Sequence, residues 1–228
     1  MNVALTKSVS LHLKSCFQNT WYQLSEPIKR GLFDLEDYLF ERRHRLDLSG
    51  IIKNSDLVSD DKEAIAHATA YHAVWCRNLR ELFMEAARRD FTFKTFVDIG
   101  SGKGKACFYA AQNKFLLFHE IIGIEFSLPL INISNINKRK FILNNISFIH
   151  SDATKYILPD HQCLVFMFNP FDDIVLEDFL RHNKDHFREH QSVIAYANDI
   201  HRKSMEDLGF STLFRNEVRK ISLYQMTL

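Results

Sequence analysis

The sequence predicts an α/β protein of the doubly wound type, a mostly parallel sheet of seven strands ending in an antiparallel hairpin, with an N-terminal helical extension. Two observations carry this reading. Beyond residue 90, short runs rich in Val, Ile and Phe alternate with amphipathic stretches, and crossovers of that length force neighbouring strands to run parallel. Residues 210–216 and 220–228 are two further strand-like runs with no room for a helix between them, so they pair with each other.

The elements follow in order along the chain. Residues 1–25 contain no Asp or Glu and only two basic residues, neither of them Arg, and they lack the apolar stretch of a secretory signal. They read as an ordinary N-terminal segment rather than an organelle presequence, and the protein as cytoplasmic. Residues 26–45 and 61–88 have the spacing of helices, and residues 50–59, polar and broken by Asn54-Ser55-Asp56, form the loop between them. On the second of these, His67, Tyr71, His72 and Trp75 stand at spacings of four or near it, a stripe that belongs either to the core or to a lid. The chain then divides near residue 90, giving a helical extension or lid over 1–90 and a ligand-binding domain over 91–228. Strands are expected at 95–99, 121–125, 146–150, 163–168 and 192–196, and helices at 103–113, 128–143, 174–188 and 201–208.

Composition narrows the function classes. A chain of 228 residues builds one such core and not two domains with a linker. Its longest uninterrupted apolar runs, 106–111 and 163–168, are far too short to span a bilayer. With 29 Lys and Arg against 28 Asp and Glu there is no basic half to grip nucleic-acid phosphates, which favours a protein or small-molecule partner. Cys16, Cys76, Cys107 and Cys163 are scattered through apolar surroundings, the pattern of buried reduced thiols rather than of a disulfide framework. His182, His186 and His190, at i, i+4 and i+8, would align on one helix face; no other ligand cluster points there, so the face reads as solvated and no metal is expected.

The most informative stretch is Asp98-Ile99-Gly100-Ser101-Gly102-Lys103-Gly104-Lys105, where three of the seven glycines fall within five residues at a strand-to-helix junction. Glycines there let the chain turn tightly and a ligand approach closely, beside the free N–H groups of the next helix. The third glycine comes one residue too early for the dinucleotide fingerprint, and Asp98 would repel a pyrophosphate but suit a ligand carrying an ammonium or sulfonium charge.

This Asp-x-Gly-x-Gly-x-Gly pattern resembles the first motif of class I S-adenosylmethionine-dependent methyltransferases, and the order of elements, terminal hairpin included, is similar to that family's Rossmann-like sheet. The resemblance runs from about residue 66 to the C-terminus. It implies S-adenosylmethionine as cofactor, with Asp98, Gly100, Ser101, Gly102 and Gly104 against its methionine and ribose portions. Glu125, at the end of the strand 121–125, then falls where the family's acid accepts the ribose hydroxyls, although an acid there also caps the following helix. Asp152 and Ala153 resemble the acid and small residue at the adenine, and Asp152 is equally a favoured N-cap. Tyr71 would close over the cofactor.

A fourth motif, Asn169-Pro170-Phe171, follows the strand 163–168 at the edge where open α/β sheets bind their ligands. It resembles the Asn-Pro-Pro-aromatic motif of amine-directed methyltransferases with one proline missing, and Asn169, Pro170 and Phe171 are the candidate catalytic residues. A weaker similarity reaches the protein-lysine methyltransferases that lack a SET domain. Together these imply transfer of a methyl group to an acceptor, a nitrogen of protein lysine or another amine. The alternatives are a non-catalytic S-adenosylmethionine-binding protein with a regulatory or assembly role and, behind it, a nicotinamide-dependent oxidoreductase. Neither a general base nor an oligomeric state is legible.

Overall fold

Apolar β-branched and aromatic runs form the strands at the expected places. The computed structural model describes residues 26–58, 62–142 and 144–227; the presequence question at residues 1–25, and Cys16 with it, lie outside the described residues. Helix α1 (Glu26–His44) is followed by α2 (Lys62–His67) and α3 (Cys76–Ala87). The sheet segment then runs β1 (Thr95–Ile99), α4 (Lys105–Gln112), β2 (Glu120–Glu125), α5 (Leu128–Lys140), β3 (Ile146–His150) and β4 (Cys163–Phe168). It continues through α6 (Asp173–His182), α7 (Lys184–His190), β5 (Val193–Ala197), α8 (Arg202–Asp207), β6 (Phe210–Asn216) and β7 (Ile221–Met226).

The seven strands lie in the order β3-β2-β1-β4-β5-β7-β6. The first five are parallel, and β7 runs antiparallel to both β5 and β6. Strand order reverses between β1 and β4, and a crevice opens at the carboxyl ends of strands at such a switch point.

Alternation along the strands sends side chains to two cores. Phe96, Leu164, Phe166, Ala195 and Leu223 face α3 and α4, whereas Val97, Val165, Met167, Ile194 and Tyr196 face α6 and α7. Described residues before 90, among them Leu46, Leu48 and Val74, share the first of these cores. Leu79, Leu82, Phe83 and Ala86 of α3 are fully buried, and the Phe83 ring meets Phe96 of β1 edge-on at 5.5 Å.

Two helix expectations are corrected. The stretch 61–88 is not one helix, because residues 68–75 are extended between α2 and α3. Their backbone groups bond to other parts of the chain: Thr69 N–H donates to the Pro170 carbonyl (3.0 Å), and Tyr71 exchanges bonds with Ile52. Partners elsewhere satisfy these groups as well as a helix would, so tertiary context overrides the helical pattern. His67, Tyr71, His72 and Trp75 are therefore not a stripe on one helix. The stretch 174–188 is likewise two helices, broken at Asn183. Its buried side chain donates to the Tyr156 and Phe179 carbonyls and accepts from Leu158 N–H, a set of bonds that competes with a continuing helix. His186 turns inward to Ser192 (2.8 Å). Among the described residues no group of three or more His, Cys, Asp or Glu is placed to share a metal ion, and no helix is long and apolar enough to cross a membrane. Cys76, Cys107 and Cys163 are free and buried.

Two lysines that flank Gly104 bind the N-terminal segment to the sheet. Lys105 Nζ, buried, lies 2.5 Å from Asp37 of α1, whose other oxygen accepts from Cys76 N–H at the start of α3. Lys103 Nζ donates to Asp47 (2.7 Å) and to the Ser49 carbonyl (2.7 Å). Removing one member of such a pair leaves the other charge buried and uncompensated. Lys105→Met should therefore lower unfolding stability by roughly 3 kcal/mol in urea titrations and expose α1 to limited proteolysis; an unchanged midpoint would show that the pair does not hold the segment.

Candidate functional site

At the carboxyl end of β1 the chain enters the glycine loop, and three bonds to β2 shape it. Gly100 N–H and Ser101 N–H both donate to the Ile124 carbonyl at 2.9 Å. Gly102 N–H donates to Oε2 of Glu125 at 2.9 Å, while Oε1 accepts from Ser127 N–H at 2.9 Å, just before α5. One carboxylate thus caps the helix and clamps the loop. Burial pushes the Glu125 carboxyl above its usual value, and the Ser127 and Gly102 N–H groups pull it part of the way back.

Glycine is required at 102 for two reasons. Its φ of +54° lies in the left-handed region, and a Cβ there would come within 2.3 Å of the Tyr71 ring. Tyr71 is itself held, its hydroxyl donating to the Leu48 carbonyl (2.7 Å) and the Lys103 ammonium lying 5.7 Å from the ring centre.

The switch point opens into a cavity of about 1220 Å³ lined by Tyr71, Gly100, Glu125, Asp152, Ala153, Asn169, Pro170 and Phe171. Small-molecule sites usually enclose roughly 300–1,000 Å³, so this one is large enough for such a ligand. Asp98, Ser101, Gly102 and Gly104 do not line it, being packed behind Tyr71, Phe148 and Cys107. Asp152 accepts from Thr154 N–H (2.9 Å) as the cap of a short turn, with Ala153 next to it.

Asn169 has φ of +42°, a conformation Asn tolerates better than most residues. Its Oδ1 accepts from the Tyr196 hydroxyl (2.9 Å), and its backbone carbonyl accepts from Thr69 Oγ1 (2.7 Å). Thr69 therefore bonds to both the Asn169 and the Pro170 carbonyls. Neither Thr69 nor Tyr196 stands out in the sequence; only the pairing of residues 68–71 with 169–171 gives them a place. Lys103 and Lys105 had a visible signal, two lysines in a loop of otherwise small residues.

The residues fit an adenosyl ligand with a charged tail. The cavity presents an acid at the end of β2, an acid and a small residue after β3, and Gly100 of the glycine loop, groups that could accept from hydroxyls and let a ligand approach the backbone. The chain matches the family model described as a methyltransferase domain over residues 93–215. The chain belongs to the methyltransferase-domain family. It is thus a class I S-adenosylmethionine-dependent methyltransferase, and the nicotinamide-dependent reading is set aside. The fold of this methyltransferase is similar to that of magnesium protoporphyrin IX methyltransferase from Synechocystis, solved with bound S-adenosylmethionine, at 12% identity and a TM-score of 0.50 over 67% of this chain and 79% of that one. A ribosomal protein L11 methylase from Lactobacillus delbrueckii subsp. bulgaricus aligns at 16% identity and a TM-score of 0.48, covering 65% of this chain and 78% of that one. A comparison with curated protein sequences finds no significant match.

Asp98 and Glu125 generate two predictions. Asp98 is fully buried, and the side-chain hydrogen bond it receives among the described residues comes from the Cys107 thiol (3.6 Å). Burial pushes its carboxyl up to about 8. Because the folded value lies above the unfolded one, stability is fully present below about pH 4 and is lost as pH rises toward 8. Asp98→Asn removes this dependence. The variant should melt several degrees above the wild type at pH 8 and at nearly the same temperature at pH 4; parallel melting curves across that range would refute the assignment. Glu125→Gln places an amide nitrogen against one of two buried N–H donors, which should cost about 1–3 kcal/mol of ligand-free stability. Calorimetric melting of the apoprotein measures this loss, and an unchanged melting temperature would show that the clamp is not stabilising.

Proposed function

We propose that this methyltransferase transfers the methyl group to a nitrogen of its acceptor, a protein lysine or another amine. One observation carries the proposal: the Asn169-Pro170-Phe171 turn lines the same cavity as Glu125 and the Asp152-Ala153 pair. S-adenosylmethionine, when bound, supplies an electrophilic methyl on sulfur. Glu125 would then take the ribose hydroxyls, Asp152 and Ala153 the adenine edge, and Gly100, which borders the cavity, the methionine portion, with Asp98, Ser101, Gly102 and Gly104 standing behind that wall.

In this reading the acceptor nitrogen meets carbonyl groups. Each carbonyl oxygen has two lone pairs, and Thr69 uses one on Asn169 and one on Pro170, so both can accept an amine N–H as well. Tyr196 keeps the Asn169 amide from turning away, and the partly apolar wall that includes Phe171 favours an uncharged amine over its ammonium form. Residues 67–71, lying between residues 52 and 171 through bridges on either side, serve as a fixed cover over the glycine loop, with Tyr71 its closing ring. The described residues from 26 to 90 are in this sense a lid joined to the methyltransferase domain of 91–228.

Methyl-tritiated cofactor incubated with the protein and fractionated cell protein tests the reading. Label should enter protein and, after acid hydrolysis, elute as methylated lysine. Label on carboxyl or hydroxyl groups, or incorporation no greater than without enzyme, would overturn it.

A further inference from the structure

Resting on the reading of the acceptor as a protein lysine or another amine, we propose that Asn78 and Asn198 bind a peptide group of the acceptor, which makes that acceptor a polypeptide rather than a simple amine. Asn78 stands on α3 one turn after Trp75, and both border the cavity. The residue is only 6% exposed, and its Oδ1 has no hydrogen-bond partner among the described residues. An unpaired amide atom in such a place costs the fold its desolvation and returns nothing to stability. A polar group of a ligand in the cavity supplies the missing partner.

Asn198 comes to the same cavity from the sheet. Parallel register pairs Phe168 of β4 with Ala197 of β5, so Asn169 and Asn198 are the next residues out of two neighbouring strands. Both border the cavity, and both lie in the left-handed region, at φ of +42° and +54°. That backbone costs a non-glycine residue energy and collects at functional sites. Two adjacent strand ends that share it bring two asparagines side by side to one crevice.

Position separates Asn198 from the groups proposed for the cofactor. In the strand order β3-β2-β1-β4-β5, Glu125 and the Asp152-Ala153 pair follow β2 and β3, on the other side of the switch point from β5. Cations that border the cavity beside α3 are already bonded to carboxylates, Lys105 to Asp37 and Arg219 to Glu81. The asparagines offer amide chemistry instead: each carboxamide has one acceptor oxygen and two N–H donors, and a half-turn exchanges the two ends with little change of shape. A peptide group, with one N–H and one carbonyl, is the complementary set. An alkylamine lacks the carbonyl, and a site built around a polar partner discriminates strongly against a ligand without it.

The test uses the full chain with tritiated cofactor and increasing amounts of the same fractionated cell protein. Asn78→Leu, which keeps the branched shape, and Asn198→Gly, which keeps the left-handed backbone, should each need about tenfold more cell protein to reach half the maximal rate, the loss of roughly one buried hydrogen bond. S-adenosylhomocysteine affinity should stay within about twofold of the wild type, since neither residue holds the cofactor in this proposal. Asn78→Leu should also melt no lower than the wild type, because its Oδ1 gives up no bond within the protein. An unchanged requirement for cell protein in either variant overturns the proposal. So does a tenfold loss of S-adenosylhomocysteine affinity, which would give the pair to the cofactor, or a lower melting temperature, which would make Asn78 structural. If the wild-type protein labels nothing, the methyl-transfer reading fails separately, and NMR with S-adenosylhomocysteine present then decides the pair. The side-chain NH2 signals of Asn78 and Asn198 should shift on adding Nα-acetyl-lysine N-methylamide and not on adding butylamine; signals that stay in place, or that follow both, overturn it.

Discussion

The site depends on one buried carboxylate with two N–H groups to satisfy. Glu125 ends β2 buried at the cavity wall, where an unpaired charge would be expensive, and its two oxygens take the amides of Gly102 and Ser127. These amides belong to the glycine loop after β1 and to the turn before α5. A single side chain therefore sets the distance between two of the cavity's walls, and the ribose role proposed for it has to be reconciled with bonds it already makes. A carboxylate has about four lone-pair sites, so accepting from backbone and ligand together is chemically consistent.

The second organising feature is how residues from the first third of the chain enter the site. Lys103 and Lys105 reach out of the glycine loop to Asp47 and Asp37, while Tyr71 lies on Gly102 and Thr69 bonds to the carbonyls of Asn169 and Pro170. Removing Cβ at Gly102 is what lets the Tyr71 ring approach. The loop is thus shaped for a protein ring as much as for a ligand. His67 and Asp172 extend the same junction, so one short segment links the glycine loop and the Asn169-Pro170 turn.

Residues 93–215 carry the family resemblance, and the parts that distinguish this chain lie largely before them. Acceptor choice in such a fold depends on what covers the carboxyl ends of the strands, because function is carried by the site built there and not by the sheet. Here the cover is the segment at 67–71 together with α1 and the Ser49–Gly50 turn, all of which border the cavity.

Local patterns were enough for the sheet. Strand runs alternate with helical stretches, the tail has no space for a crossover, and Asp98-x-Gly100-x-Gly102-x-Gly104 identifies the loop, because hydrophobic period and glycine placement are properties of neighbouring residues. The one-helix reading of 61–88 failed where residues 68–75 exchange helical bonds for partners about 20 and 100 positions away, a trade that no local propensity contains. Asn183 broke the helix after β4 for the same reason, through bonds to Tyr156 and Leu158. So the sequence by itself determined the fold class, the cofactor class and the positions of Glu125, Asp152 and Asn169 at strand ends. Only the tertiary structure decided what those residues touch and which distant side chains join them, since hydrogen bonds between segments far apart in sequence are chosen by packing and leave no periodic trace in the chain.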